Sequence, residues 1–189
     1  MTTQGIYGFR VGGKEKFAYN ARRSGPECLG LRILGELGAV NDWNFAKSRI
    51  EDLVAIHETR RLVSNDEIIR AELRRHFPDL EQTQRSEDFY DLFRPLQGTI
   101  EPYLTGCLSF IPTASEFFDD SNFCEWGYVL NCDNHSFEVY KGKQTMAPIK
   151  DSSCQGSADR MGYYPCRMIR EYSLDELPSQ DTFLSDLGS

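Results

Sequence analysis

No run of roughly eighteen apolar residues occurs in the chain, and its start lacks the basic stretch followed by an apolar stretch that marks a secretory leader. A soluble cytoplasmic protein with no membrane partner is the expectation. Positive charge is also scarce, with 21 Lys and Arg against 29 Asp and Glu, a formal charge of −8 and a pI near 4.9. A surface of that sign repels a phosphate backbone, so nucleic acid is not expected as a partner. The six cysteines include no C-x-x-C pair, which suits neither a disulfide framework nor a zinc ribbon, and they read as small, reduced core residues. Gly5-Ile6-Tyr7-Gly8 and Gly12-Gly13 do not lead from strand to helix as G-x-G-x-x-G or G-K-[ST]. Nothing points to a nucleotide, and no cofactor is expected.

The chain is well supplied with large aromatic side chains, twelve Phe and nine Tyr in 189 residues. That length carries one substantial hydrophobic core and is short for two full domains. The alternation Ile6-Tyr7-Gly8-Phe9-Arg10-Val11, then Gly12-Gly13, then Lys14 to Tyr19 is a hairpin signal, because paired glycines reach the positive φ angles of a tight primed turn. Pro26 followed by Leu29, Ile33, Leu34 and Leu37 at helical spacing predicts a helix over 26–37. Asn41-Asp42 caps a second apolar stripe of Trp43, Ala46, Ile50, Leu53 and Val54. Ser64 and Glu67 form a capping-box pair ahead of Ile68, Ile69, Leu73 and Phe77, and Pro78 closes that helix.

Residues 79–88 are polar enough for a loop, and Phe89–Phe93 and Ile100–Phe110 read as further helices. The clearest strand pair is Trp126–Asn131 with Phe137–Tyr140 around the turn-rich Cys132-Asp133-Asn134-His135. Residues 143–162 read as a long, exposed, mobile loop, Tyr163–Tyr172 as a strand, and Leu174–Pro178 as a short terminal turn. Strands at both ends and helices between them predict one α+β domain, its terminal segments sharing an antiparallel sheet with the helices on one face.

Thr2-Thr3-Gln4-Gly5 runs directly into the first strand. Removal of Met1 before the small Thr2 would leave an α-amine, with a reference pKa of about 7.7–8.0, beside a hydroxyl, so that one residue supplies both base and nucleophile. Thr2-Thr3 leading into strand, turn and strand resembles the start of the N-terminal nucleophile hydrolases. The hairpin from Tyr128 to Tyr140 is similar to hairpins of their amide-cleaving branch. That resemblance implies Thr2 as nucleophile, with Asn20 and Arg22, just past the second strand, as substrate or oxyanion contacts. A broader resemblance covers Gly5 to Arg10 with Tyr19-Asn20, Cys124 to Tyr128, Glu138 to Gly142, Tyr163-Tyr164-Pro165, Leu174 and Leu177-Pro178. These blocks resemble a set of small uncharacterised bacterial and phage proteins, which implies one compact domain of microbial or phage origin and no particular reaction.

Other constellations are thinner. Cys124, Cys132 and His135, with Asp133, offer zinc-ligand chemistry without the close paired spacing a structural site uses, and no metal is expected. Cys28 near a helix start suits a thiolate nucleophile, with His57, His76 and His135 all remote in sequence. His57 and His76 near helix ends read as cations meeting terminal carbonyls. Asp119-Asp120 and Asp88 with Asp91 read as solvated acids, and Arg60, Arg61, Arg70, Arg74 and Arg75 as a solvated helix face.

Two function classes remain. One is a compact acidic protein that binds a protein partner, as a phage or mobile-element factor acting on a host protein would, with Trp43, Phe118 and Tyr163 as exposed anchors. The other is an amide hydrolase or acyl transferase using Thr2, Asn20 and Arg22. Acidic charge and the absence of a convergent catalytic set favour the first. A cleft holding Asn20 and Arg22 beside an open N-terminus would favour the second, and one filled by Met1 would count against it.

Overall fold

A computed structural model describes residues 3–63, 66–78, 87–145 and 161–188. Strands β1 (Gln4–Val11) and β2 (Lys14–Asn20) form the expected hairpin, with Gly12 and Gly13 at φ 58° and 69° in its turn. Asp133 locks that turn from outside, its Oδ1 accepting Gly12 N at 2.8 Å and its Oδ2 accepting Gly13 N at 2.9 Å. These amides hold the Asp133 carboxyl below the usual range.

β1 and β2 join β5 (Cys124–Asn131), β6 (Ser136–Lys141) and β7 (Arg167–Ser173) in one five-stranded sheet ordered β2-β1-β5-β6-β7. The terminal segments do share a sheet, and with the helices this makes the chain an α+β fold. The sheet is mixed and not wholly antiparallel, because β1 and β5 run parallel, Tyr7 opposite Tyr128. A long crossover through the middle of the chain allows that pairing, as parallel neighbours require. β3 (Val54–His57) and β4 (Phe110–Thr113) form a small parallel pair, tied to β2 where Ala114 N donates to Phe17 O at 2.8 Å.

Alternation assigns the two sheet faces. Tyr7, Phe9, Ala18, Tyr128, Leu130, Phe137 and Val139 pack against Leu29, against Ile33, Leu34 and Leu37, against Ala46 and Ile50, and against Phe183. Those partners belong to a π-helical turn (Pro26–Gly30), α1 (Leu31–Gly38), α2 (Trp43–Asp52) and α6 (Gln180–Leu187). Burial of this apolar surface, at about 25 cal/mol per Å², is what holds the helices on the sheet. The other face carries Ile6, Phe17, Val129 and Tyr140 under Phe118 of a 3₁₀ turn. It also buries Glu138, whose carboxylate accepts hydrogen bonds from Arg10, Asn131 and Tyr140, each at 2.7 Å.

The expected helix over 26–37 is present, but its first turn is π-helical. The stripe after Asp42 ends earlier than its spacing suggests: Leu53 leaves the helix and Val54 opens β3. Lys16, reaching across from β2, marks that end; its ammonium donates to Ile50 O, Glu51 O and Leu53 O at 2.7, 2.9 and 2.8 Å.

α3 (Glu67–His76) follows Asp66; Ser64 of the expected capping box lies outside the described residues. α4 (Phe89–Phe93) is as expected. The expected helix over 100–110 is corrected to a single turn, α5 (Glu101–Leu104), because Gly106 at φ 75° ends it and Phe110 already belongs to β4. The last expected strand begins only at Arg167, and α6 follows the terminal turn, capped by Ser179 and closed by Gly188 at φ 69°. Of the expected loop at 143–162, residues 146–160 lie outside the described residues, as do 79–86 of the loop at 79–88.

Candidate functional site

The chain leaves β2 at Asn20 and must turn sharply to reach Pro26. Asn20, almost fully buried, holds that turn: its Nδ2 donates to Arg22 O at 2.7 Å and to Ser24 Oγ at 2.8 Å. Ser24 is fully buried, its carbonyl takes the Tyr128 hydroxyl at 3.0 Å, and its amide donates to Thr3 O at 3.3 Å. The amide of Ala21 donates to Gln97 Oε1 at 3.3 Å, which brings the 94–98 segment alongside. So fixed, the loop places Arg23 at φ 57°, a left-handed conformation that a non-glycine residue adopts at a cost of about 1–3 kcal/mol and that clusters at functional sites.

Around this loop lies an open cleft of about 880 Å³. Its walls come from four places: Gln4 of β1; Tyr19 to Arg23; Glu27, Cys28, Leu29 and Arg32; and Tyr90, Arg94, Gln97 and Gly98. Gly98 sits at φ 81°, and the point where a Cβ would stand is 3.1 Å from Asn20 Oδ1 and 3.4 Å from Arg32 Nη1. A side chain there would fill the place where those two groups converge.

The charge of this cleft is mainly positive. Arg22, Arg23, Arg32 and Arg94 line it, against one carboxylate, Glu27. Elsewhere Arg10, Arg49, Arg60, Arg74 and Arg170 each meet a carboxylate, whereas Arg61, Arg75 and Arg167 meet none among the described residues. None of the four cleft arginines makes such a pair among the described residues. Glu36, one helical turn beyond Arg32, does not serve it. Its carboxylate accepts Thr99 Oγ1 at 2.8 Å, Ile100 N at 2.6 Å and Glu101 N at 3.0 Å, capping α5 instead.

A second cluster of titratable groups stands at the end of β3. His57 Nε2 meets Glu116 Oε1 at 2.7 Å, and His57 Nδ1 meets Thr59 Oγ1 at 2.9 Å. This corrects the expected role of His57 as a helix-end cation, since it closes a strand. His76 does end a helix, α3. The neighbouring Glu58 is pushed up to about 7, first by burial, then by the charges of Glu116 and Asp88, against the opposing pull of His57. Its charge in turn adds to the burial and the Tyr90 neighbour that raise the Tyr19 hydroxyl on the cleft wall.

Of the hydrolase set, Asn20 and Arg22 are brought together in the cleft, whereas Thr2 lies outside the described residues, adjacent to Thr3, whose carbonyl binds Ser24. Cys28 also lines the cleft, but no histidine does among the described residues. Cys124 and Cys132 stand at opposite ends of β5, roughly 25 Å apart at strand rise, so they do not converge with His135. Among the described residues no group of three or more His, Cys, Asp or Glu is placed to hold a metal ion.

The expected partner anchors fare differently. Phe118 is corrected: it is only 8% exposed, its ring packed at 5.4 Å from Phe17 and 4.8 Å from Tyr140. Trp43 is half-buried against the core, edge-on to His135, and Tyr163 is half-buried. Among the described residues the exposed large apolar side chains are instead Phe45, Val54, Val63, Ile68, Phe123 and Met161. Val54 and Ile68 belong to a shallow, mainly apolar groove of about 450 Å³ beside β3 and α3.

Sequence reasoning reached Asn20 and Arg22 through a resemblance and missed Arg23, Arg32 and Arg94. No local signal marks them, because their convergence comes from the packing of segments some seventy residues apart. No family model, curated protein or solved structure matches the chain. No helix among the described residues is long and apolar enough to cross a membrane.

Proposed function

We propose that the protein is an amide hydrolase or acyl transferase that works in the arginine-lined cleft, with Thr2 as nucleophile. The observation that carries this reading is that Asn20 and Arg22 line one cleft whose wall includes Gln4, two residues from Thr2. In this mechanism the Thr2 α-amine takes the proton of its own hydroxyl as Oγ1 attacks the acyl carbon, returns it to the leaving amine as the C–N bond breaks, and then deprotonates the water or acceptor that releases the acyl group from the Thr2 ester. Arg22 holds the developing oxyanion or the substrate carboxylate, a role in which one lost donor costs about 10²–10³ in rate. Asn20 positions Arg22 by holding its carbonyl.

The test is the intact mass of the purified protein before and after treatment with an acylating electrophile, with the adduct mapped. Loss of Met1 and one adduct on Thr2, absent in Thr2→Ala and slowed in Arg22→Ala, is the expected result. Retained Met1 with no adduct contradicts the reading.

A second reading, binding of a protein partner, draws on a different surface. The groove of Val54, Ala55, Ile56, Ile68, Ile69 and Phe110 is flanked by the Arg60–Asp66 pair, an apolar centre with a polar rim. A co-purifying protein lost from Ile68→Asp supports it, and an unchanged set of co-purifying proteins contradicts it.

A further inference from the structure

We propose that the cleft takes a compact polyanion, a small molecule bearing two or more phosphate or carboxylate groups. The inference rests on the reading of this cleft as the ligand site, and not on Thr2 as the nucleophile. One guanidinium in bidentate contact satisfies one carboxylate or one phosphate face. Four guanidiniums from three separate segments exceed what a single acid needs.

They also repel one another, and the chain has carboxylates to spare, 29 acids against 21 bases. Yet Glu36, one helical turn beyond Arg32, is committed to Thr99 and to the backbone of α5, and Arg32 lines the cleft. Glu27 is the single carboxylate that lines the cleft with these four arginines, and a bound polyanion supplies the counter-charge they still need.

Two further features limit the ligand. The buried Asn20 side chain and the glycine at 98 fix the floor beside Arg32, so the anionic end meets a formed surface. At about 880 Å³ the cleft falls within the range of small-molecule sites, about 300–1,000 Å³, and holds more than an inorganic ion. The Tyr19 and Tyr90 rings, 6.1 Å apart, provide a wall for the uncharged body of the ligand.

Calorimetric titration of the full chain with pyrophosphate, citrate, acetate and a single-stranded oligonucleotide tests this, using wild type, Arg32→Gln/Arg94→Gln and Thr2→Ala. Saturable binding of pyrophosphate or citrate, weakened at least ~10-fold in the arginine variant at unchanged melting temperature, is expected from the loss of two charge-assisted contacts. Pyrophosphate ahead of citrate assigns phosphate chemistry, and the reverse order assigns carboxylates. Acetate binding as tightly as either, undiminished affinity in the arginine variant, or an oligonucleotide ahead of both overturns the proposal. Thr2→Ala is expected to bind the polyanion as wild type does while taking no acyl adduct. A failed nucleophile therefore leaves this result standing, and a failed polyanion leaves the acylation result standing.

Discussion

Glu58 shows how a single side chain links this fold to pH. Its carboxyl titrates near 7 in the folded protein against an ordinary 4.5, because burial and the acids Glu116 and Asp88 disfavour its charge. A folded-state value raised above the unfolded one gives a contribution fully present below about 4.5 and lost as pH rises through about 7. Glu58→Gln is uncharged at every pH and is expected to melt above the wild type at pH 8 and level with it at pH 4. After discounting for the half-exposed position, the gain at pH 8 is about 1 kcal/mol, or about 2–4 °C for a chain of this size. Thermal scans across pH 4–9 check this, and a gain equal at both ends contradicts it. Lys16 is the opposite case, a buried cation that holds a helix end. Lys16→Met leaves Ile50 O with its bond from Leu53 N but removes the ammonium from the carbonyls of Glu51 and Leu53, and is expected to cost about 2 kcal/mol in urea denaturation. Neither role was legible in sequence, because each depends on what packs around the residue once the chain is folded.

At the scale of elements, local chemistry decided which parts were readable. The first hairpin was legible because Gly12-Gly13 permits one tight turn and the flanking residues alternate. The strands after Cys124 were legible for the same reason, with aromatic and β-branched residues on alternating faces. Residues 100–110 misled because apolar spacing there fits either period, and the positive φ at Gly106 is visible only once the chain is folded. α6 carried its own signals, Ser179 at the N-cap and Gly188 past the end, hidden by the turn-like Leu174–Pro178 before it. Ser179 Oγ accepts Thr182 N at 3.2 Å, so Ser179→Ala is expected to lower stability by about 1 kcal/mol. Since Phe183 packs on Phe137 at 6.0 Å, that loss should appear in global unfolding and not only as fraying of the chain end. An unchanged midpoint in urea would show that α6 is not coupled to the core.

For the whole molecule, the α+β class followed from the order of elements, while the parallel join of β1 to β5 did not, since no local pattern records which distant strand a strand meets. The cleft belongs to the same class of information. Asn20 and Arg22 were reached through a resemblance of the chain start, but Arg32 and Arg94 meet them only because α1 and the 94–98 segment pack beside the β2 exit. An acidic chain thus lines one of its clefts with four arginines, so its net charge of −8 does not describe that surface. The most direct test of this account is a pyrophosphate titration followed residue by residue through backbone amide NMR shifts. Saturating shifts confined to Ala21–Arg23, Arg32, Arg94 and Gln97–Gly98 are expected. Shifts centred on Val54 and Ile68, or scattered without saturation, would contradict it.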